Sequence, residues 1–224
     1  RSLLTGGTPP AGCGAFQAPS PPGCNRSPRL SRAKFVLPKS PLPTTASHLD
    51  AFRDITETGA PATPQTSGSN LGFLKGKLDM NRIGTMGHSR GGDGVAKYVT
   101  YNREQARPHK VIATFGLAPT DYNLDVVDSS AYATLLPYCD GDVEDVQGAF
   151  VYDDSRYFKA DDQAAKFQIL TMGSNHNYFN TVWTSDDWTI TNPGGDDPFC
   201  GTNAASNQRD TPEEQRALGQ FFMA

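Results

Sequence analysis

Acyl transfer is the chemistry that one serine, one histidine and a small group of aspartates in this chain could share. Ser89 lies within Gly87-His88-Ser89-Arg90-Gly91-Gly92, directly after the apolar run Ile83-Gly84-Thr85-Met86 and before Asp93-Gly94-Val95-Ala96-Lys97-Tyr98-Val99, which reads as helix. Gly-x-Ser-x-Gly in that setting marks a strained strand-to-helix turn, where small neighbours let the backbone bend sharply and lift the hydroxyl clear of a sheet. The same turn leaves the backbone N–H of Arg90 at a helix start, able to donate to an oxyanion. A serine hydroxyl is a poor nucleophile near neutral pH and needs an adjacent base. His176, with an ordinary pKa of about 6.5, can take and return that proton. The other histidines read differently: His88 is held in the turn with its ring expected to point elsewhere, His48 sits on an upstream helix, and His109 precedes a strand.

The elements that must position these groups emerge from periodicity. Lys110-Val111-Ile112-Ala113-Thr114-Phe115-Gly116-Leu117 is a continuous apolar run, as in a strand buried on both faces. Tyr132–Tyr138 and Phe167–Met172 read as further strands, ending in Cys139-Asp140-Gly141-Asp142 and Gly173-Ser174-Asn175-His176. Helices are expected at 46–55, 92–101 and within 153–166. A final one begins at Thr211, where Pro212 at the first helical position and Glu214 at the third make a capping box. Strand and helix alternate, which predicts an α/β fold with a mostly parallel sheet and its site at the carboxyl ends of the strands. Ser89, an aspartate near position 142 and His176 all fall at such ends.

Residues 1–47 break this pattern. They hold nine of the seventeen prolines, with 33–37 the one short strand candidate, so they read as an irregular segment ahead of a domain spanning 48–224. The whole has 224 residues, a net charge of −4 and no long basic run, which disfavours nucleic acid and anionic membrane surfaces as partners. No stretch has the length of a membrane span, and the first residue, Arg1, implies processing upstream. Cys13, Cys24, Cys139 and Cys200 lack the spacing of a metal site, so neither metal nor cofactor is expected. Their even number suits a secreted disulfide protein, with Cys13–Cys24 one candidate bridge; four buried thiols are the alternative, and three pairings are open. A Cys139–Cys200 bridge would pin the aspartate turn against the segment after His176.

The order Ser, Asp, His together with the serine turn resembles the α/β-hydrolase fold. The hexapeptide at 87–92 is similar to that of chlorophyllase-type enzymes and of secreted bacterial esterases and lipases, and the likeness covers about residues 82–222. It implies a secreted, monomeric serine ester hydrolase acting on a small-molecule, lipid or polyester ester. It also implies that the triad acid follows the next-to-last strand, in a Gly-x-x-Asp-like turn. Cys139 stands where glycine is usual and Asp142 where the aspartate is, which makes Ser89, Asp142 and His176 the expected triad. Asp140 is the near competitor and Asp121 the distant one, and a solvated acidic loop or a calcium loop are the other readings of 140–145. Tyr178, Phe179 and Trp183 are the expected substrate-binding aromatics, unless they simply pack over the core. Two features depart from the family: the first half of the 88 residues before Ser89 does not read as sheet, and the His-Gly loop that supplies a second oxyanion donor is missing, with Gly6-Gly7 its only stand-in. A fragment or a remodelled N-terminal half would produce both. The contrasting reading is a catalytically weak hydrolase-fold protein that binds apolar or aromatic ligands.

Overall fold

A continuous apolar strand that must hide both faces needs neighbours on each side and a helix above it. In the computed structural model, which describes residues 42–62, 71–191, 200 and 209–223, four strands line up in one all-parallel sheet. They are β1 (Ile83–His88), β2 (Val111–Leu117), β3 (Ala131–Pro137) and β4 (Lys166–Thr171), in the order β1-β2-β3-β4. The burial on both faces expected of the run at 110–117 is not met among the described residues: Ile112 is exposed, as are Met86, Phe167 and Leu170 on other strands. The register sets Met86 beside Phe115, Phe115 beside Ala133 and Ala133 beside Phe167, so that one face of the sheet carries an apolar row across all four strands. Among the described residues β1 is an edge strand.

The helices are α1 (Leu42–Thr58), α2 (Arg90–Arg103), α3 (Gly148–Tyr157), α4 (Asp187–Thr191) and α5 (Pro212–Met223). Helix α2 packs on β1 and β2, α3 on β3 and β4, and α1 lies against α2. Ala96 and Val99 of α2, Val127, Tyr132 of β3 and Val151 of α3 form a buried cluster between these layers. The α/β class with a parallel sheet is therefore as the alternation of elements implies. Helix α5 starts as its sequence dictates: the Thr211 N–H donates to Glu214 Oε2 at 2.9 Å, and the Glu214 N–H donates back to Thr211 Oγ1 at 3.3 Å.

Two elements differ from expectation. Helix α1 runs Leu42–Thr58 and so crosses the boundary at position 47. Helix α3 begins five residues before the expected start at 153 and ends at Tyr157. Its inward stripe is Val151 and Ser155, and beyond Tyr157 Asp162 takes over: its carboxylate accepts the N–H groups of Ala164 and Ser129 and pairs with Lys166 Nζ at 3.0 Å. Backbone groups satisfied by an aspartate in this way have no need of a helix. The strand candidate at 33–37, the Cys13–Cys24 pair and Gly6-Gly7 lie outside the described residues.

Candidate functional site

The strand-to-helix turn at Ser89 is as sharp as its glycines suggest. Ser89 has φ 57° and ψ −128°, a conformation that costs a non-glycine residue of order 1–3 kcal/mol and persists only where the surroundings enforce it. The enforcement is visible. The Ser89 N–H donates to Leu117 O at 2.9 Å, and Ser89 O accepts from the N–H groups of Gly92 at 2.8 Å and Thr120 at 3.3 Å. A Cβ on Gly87 would fall 2.0 Å from Gly91 O, and one on Gly92 would fall 2.5 Å from Pro119 Cβ, whereas one on Gly91 would meet nothing within 4 Å. The bend thus depends on Gly87 and Gly92. Gly87→Ala is expected to lose about 3 kcal/mol or more, which lowers Tm by roughly 6–12 °C in a chain of this size, while Gly91→Ala stays close to wild type; thermal melts of the two variants check this.

His176 sits on the turn after β4, held from several directions. Ser174 O accepts the Cys139 N–H at 2.9 Å, and both backbone groups of Asn175 bond to the fully buried Gln215 side chain of α5, at 2.9 and 2.7 Å. Its ring is bracketed by two carboxylates. Nδ1 lies 2.8 Å from Asp140 Oδ2, and Nε2 lies 3.4 Å from Asp142 Oδ2. The Asp140 side chain is 2 % exposed and the Asp142 side chain 58 %. Asp140 Oδ1 also accepts the N–H groups of Asp142, at 3.0 Å, and Val143, at 2.6 Å, which locks the carboxylate in a tight turn.

The structure does not place Asp142 where the resemblance puts the triad acid. Asp140, the competitor, occupies the place behind Nδ1 that the resemblance gives to Asp142, and Asp142 stands on the Nε2 side instead. The Asx turn explains the shift: the carboxylate that caps the turn from within, that of Asp140, is buried against Nδ1, while that of Asp142 stays largely exposed. Asp121, the distant candidate, is buried under the loop after β2, where its N–H donates to Gln147 Oε1 at 3.3 Å.

Burial lowers the affinity of the His176 ring for a proton, but the hydrogen bond and charge of Asp140, with the charges of Asp142 and Asp187, outweigh it and raise the pKa above 6.5. His88 goes the other way. Its ring centroid lies 4.4 Å from that of His176 and 5.1 Å from that of Trp183, and its Nε2 is 3.1 Å from His176 O. Burial, and then the neighbouring His176 charge, lower its pKa to about 4, so at neutral pH it is an uncharged ring donating from Nε2 to that carbonyl. The expectation that His88 points elsewhere is therefore corrected. It braces the histidine turn.

Ser89, Arg90, Asp142, His176 and Trp183 line one cavity of about 660 Å³, together with Thr120, Tyr122, Val182 and Ile190 among others. Trp183 stacks over His176 at 6.4 Å with 14° between the rings. Of the three expected binding aromatics only Trp183 reaches this cavity's lining. Phe179 lies against Gly219 of α5, and Tyr178 donates its N–H to Asn175 Oδ1 at 3.0 Å as part of the histidine turn. Tyr122 escaped the sequence reading because nothing in the loop 118–130 signals where its ring would go. Among the described residues no group of three His, Cys, Asp or Glu side chains is placed to hold a metal ion, and no helix is long and apolar enough to cross a membrane.

Cys139 and Cys200 form a disulfide, both residues being buried. It ties the residue next to Asp140 to a point 61 positions on, a closure that removes about 4 kcal/mol of chain entropy from the unfolded state. Neither a family model nor a curated protein matches the chain.

Proposed function

We propose that the protein is a serine hydrolase of carboxylic esters that works through an acyl-enzyme on Ser89. The observation that carries this reading is the strained φ of Ser89 at the head of α2, in the wall of the same cavity as His176, whose Nδ1 is backed by the buried Asp140. In this mechanism His176 Nε2 takes the proton from the Ser89 hydroxyl as Oγ attacks the ester carbonyl. The carbonyl π electrons move onto oxygen, and the Arg90 N–H, in the first turn of α2 where no intrahelical acceptor exists, donates to that oxyanion. His176 then returns the proton to the leaving alkoxide, the C–O bond breaks, and water repeats the sequence to release the acid. Asp140 keeps the proton of the neutral ring on Nδ1 and stabilises the imidazolium formed midway.

The open cavity with Trp183 and Tyr122 on its walls suits an ester with an apolar or aromatic acyl part. The disulfide suits an oxidising, extracellular location. The sheet, the elbow and the Ser, Asp, His order support likeness to the α/β hydrolases.

The test is hydrolysis of p-nitrophenyl esters as a function of pH. Because only the neutral ring can act as base, kcat/KM is expected to be low in acid and to rise through a midpoint above 6.5, set by the raised pKa of His176. Asp142→Asn removes one of the charges that raise it and shifts that midpoint to lower pH. Ligand-induced burial of Trp183 with no turnover at any pH would replace this reading with that of a binding protein.

A further inference from the structure

Three segments distant in sequence meet behind His176, and one buried carboxylate touches the backbone of two of them. Asp187, 3 % exposed at the start of α4, accepts the His176 N–H on Oδ1 at 3.1 Å and the Gly141 N–H on Oδ2. Gly141 lies between Asp140 and Asp142. A Cβ there would fall 2.8 Å from Trp188 Cα and 2.9 Å from Trp188 N, so the start of α4 rests directly on the acid turn. The adjacent Asp186 extends the contact through Arg209, whose Nε is 2.7 Å from Asp186 Oδ2 and whose Nη1 donates to Cys139 O at 3.0 Å.

We infer that Asp187 is a positioning residue: a single ionised carboxylate clasps the acid turn to the histidine turn and so fixes the 2.8 Å Asp140–His176 bond. In its kinetic consequences this rests on the hydrolase reading above; as a structural statement it does not. Two backbone donors converge on the two oxygens of one carboxylate, an arrangement that an amide cannot reproduce, because its NH₂ would face an N–H. The titratable groups around Asp187 are Asp140 on the acid turn, His176 and Tyr178 on the histidine turn and Asp186 beside it, with Arg209 paired to Asp186. Burial raises its pKa to about 6, against the Gly141 hydrogen bond and with the help of the Asp140 and Asp186 charges. The clasp is therefore ionised above that pH and loses its charge below it.

The experiment compares wild type with Asp187→Asn in two ways. The hydrogen-bonded Nδ1 proton of His176, read as a far-downfield NMR resonance at pH 7.5, needs no substrate. It is expected to be sharp in wild type and lost or broadened in the variant, and an unchanged resonance overturns the proposal. In p-nitrophenyl ester hydrolysis at pH 8, kcat of the variant is expected to fall about tenfold or more with KM within about twofold. Once the lower His176 midpoint that removal of the Asp187 charge itself produces is allowed for, that deficit should still shrink as the pH drops through 6, where wild type loses the same charge. A loss that is equal at every pH marks a merely structural role and also overturns it. Should the variant fail to fold, the acid limb of wild-type log kcat/KM decides. Two required deprotonations, at His176 and Asp187, give a slope approaching two, and a slope of one contradicts the clasp. Absence of turnover by wild type would remove the hydrolase reading while leaving the resonance to test the clasp alone.

Discussion

Ser89→Ala is expected to reduce p-nitrophenyl ester turnover by about 10⁴-fold or more, to the level left by the oxyanion donor and substrate binding alone. Thr120, Tyr122, Thr184 and Ser185 also line the cavity, but among these hydroxyl residues only Ser89 sits on the strand-to-helix turn. Ser89 is the residue that the turn holds at φ 57°, with its backbone fixed to Leu117, Gly92 and Thr120, and it heads the helix whose first N–H, that of Arg90, donates to the oxyanion in the proposed mechanism. Thr120 also lines the cavity, but its side chain is buried, and the residue serves the turn through the bond from its own N–H to Ser89 O. Stability should change little, because the backbone bonds that enforce the turn do not involve the hydroxyl. A Tm within a few degrees of wild type would separate lost chemistry from lost fold.

Asp140→Asn carries the second large effect, about 10⁴-fold in kcat, while Asp142→Asn should cost less than about tenfold. The difference follows from position. Asp140 is buried behind Nδ1 at 2.8 Å, and an amide in its place stabilises no imidazolium and can hold the ring in the wrong tautomer. Asp142 is more than half exposed and 3.4 Å from Nε2, so water screens it and its removal chiefly shifts the pH midpoint. Measuring kcat for both variants above pH 8 separates the two roles. If Asp142→Asn proved the more damaging, the acid would be on the other side of the ring and the tautomer argument would fail.

The split between these aspartates also shows where sequence reasoning reached its limit. Ser89 and His176 were legible because each sits at the carboxyl end of an apolar strand, and in a parallel sheet those ends meet at one rim. Asp140 and Asp142 share one strand end, and a displacement of two residues within a tight turn leaves no trace in periodicity. Only the Asx turn, with Asp140 Oδ1 taking the N–H groups of Asp142 and Val143, decides which carboxylate turns inward. The strands are legible to within a residue or two because each is a short run with apolar residues at its centre, bounded by polar or turn-forming residues. Helix α3 was misplaced because its inward stripe is thin: Val151 and Ser155 carry little hydrophobic signal beside the acidic run 153–154. Asp187 gave no signal either. The second aspartate of a pair before a tryptophan looks like solvated loop until folding buries it between two turns 36 residues apart, at Asp140 and His176.

His88 illustrates a different limit. Its neighbours in sequence are Gly87 and Ser89, and they say nothing of where an imidazole will go. In the fold it fills the space beside His176 and Trp183 and donates to the histidine's own carbonyl. The pKa of about 4 that burial and His176 impose keeps it neutral, so it adds no charge to a site whose electrostatics belong to Asp140, Asp142 and Asp187.

The central claim is that Ser89 is a nucleophile activated by His176 and Asp140. Intact-protein and peptide mass spectrometry after incubation with a fluorophosphonate addresses it most directly, since the reagent needs an activated serine and no knowledge of the substrate. One adduct per chain, on the peptide bearing Ser89, formed faster above the His176 midpoint and absent from Ser89→Ala, is the predicted result. An adduct that survives Ser89→Ala, or no adduct on the folded wild-type protein at pH 8, would contradict it.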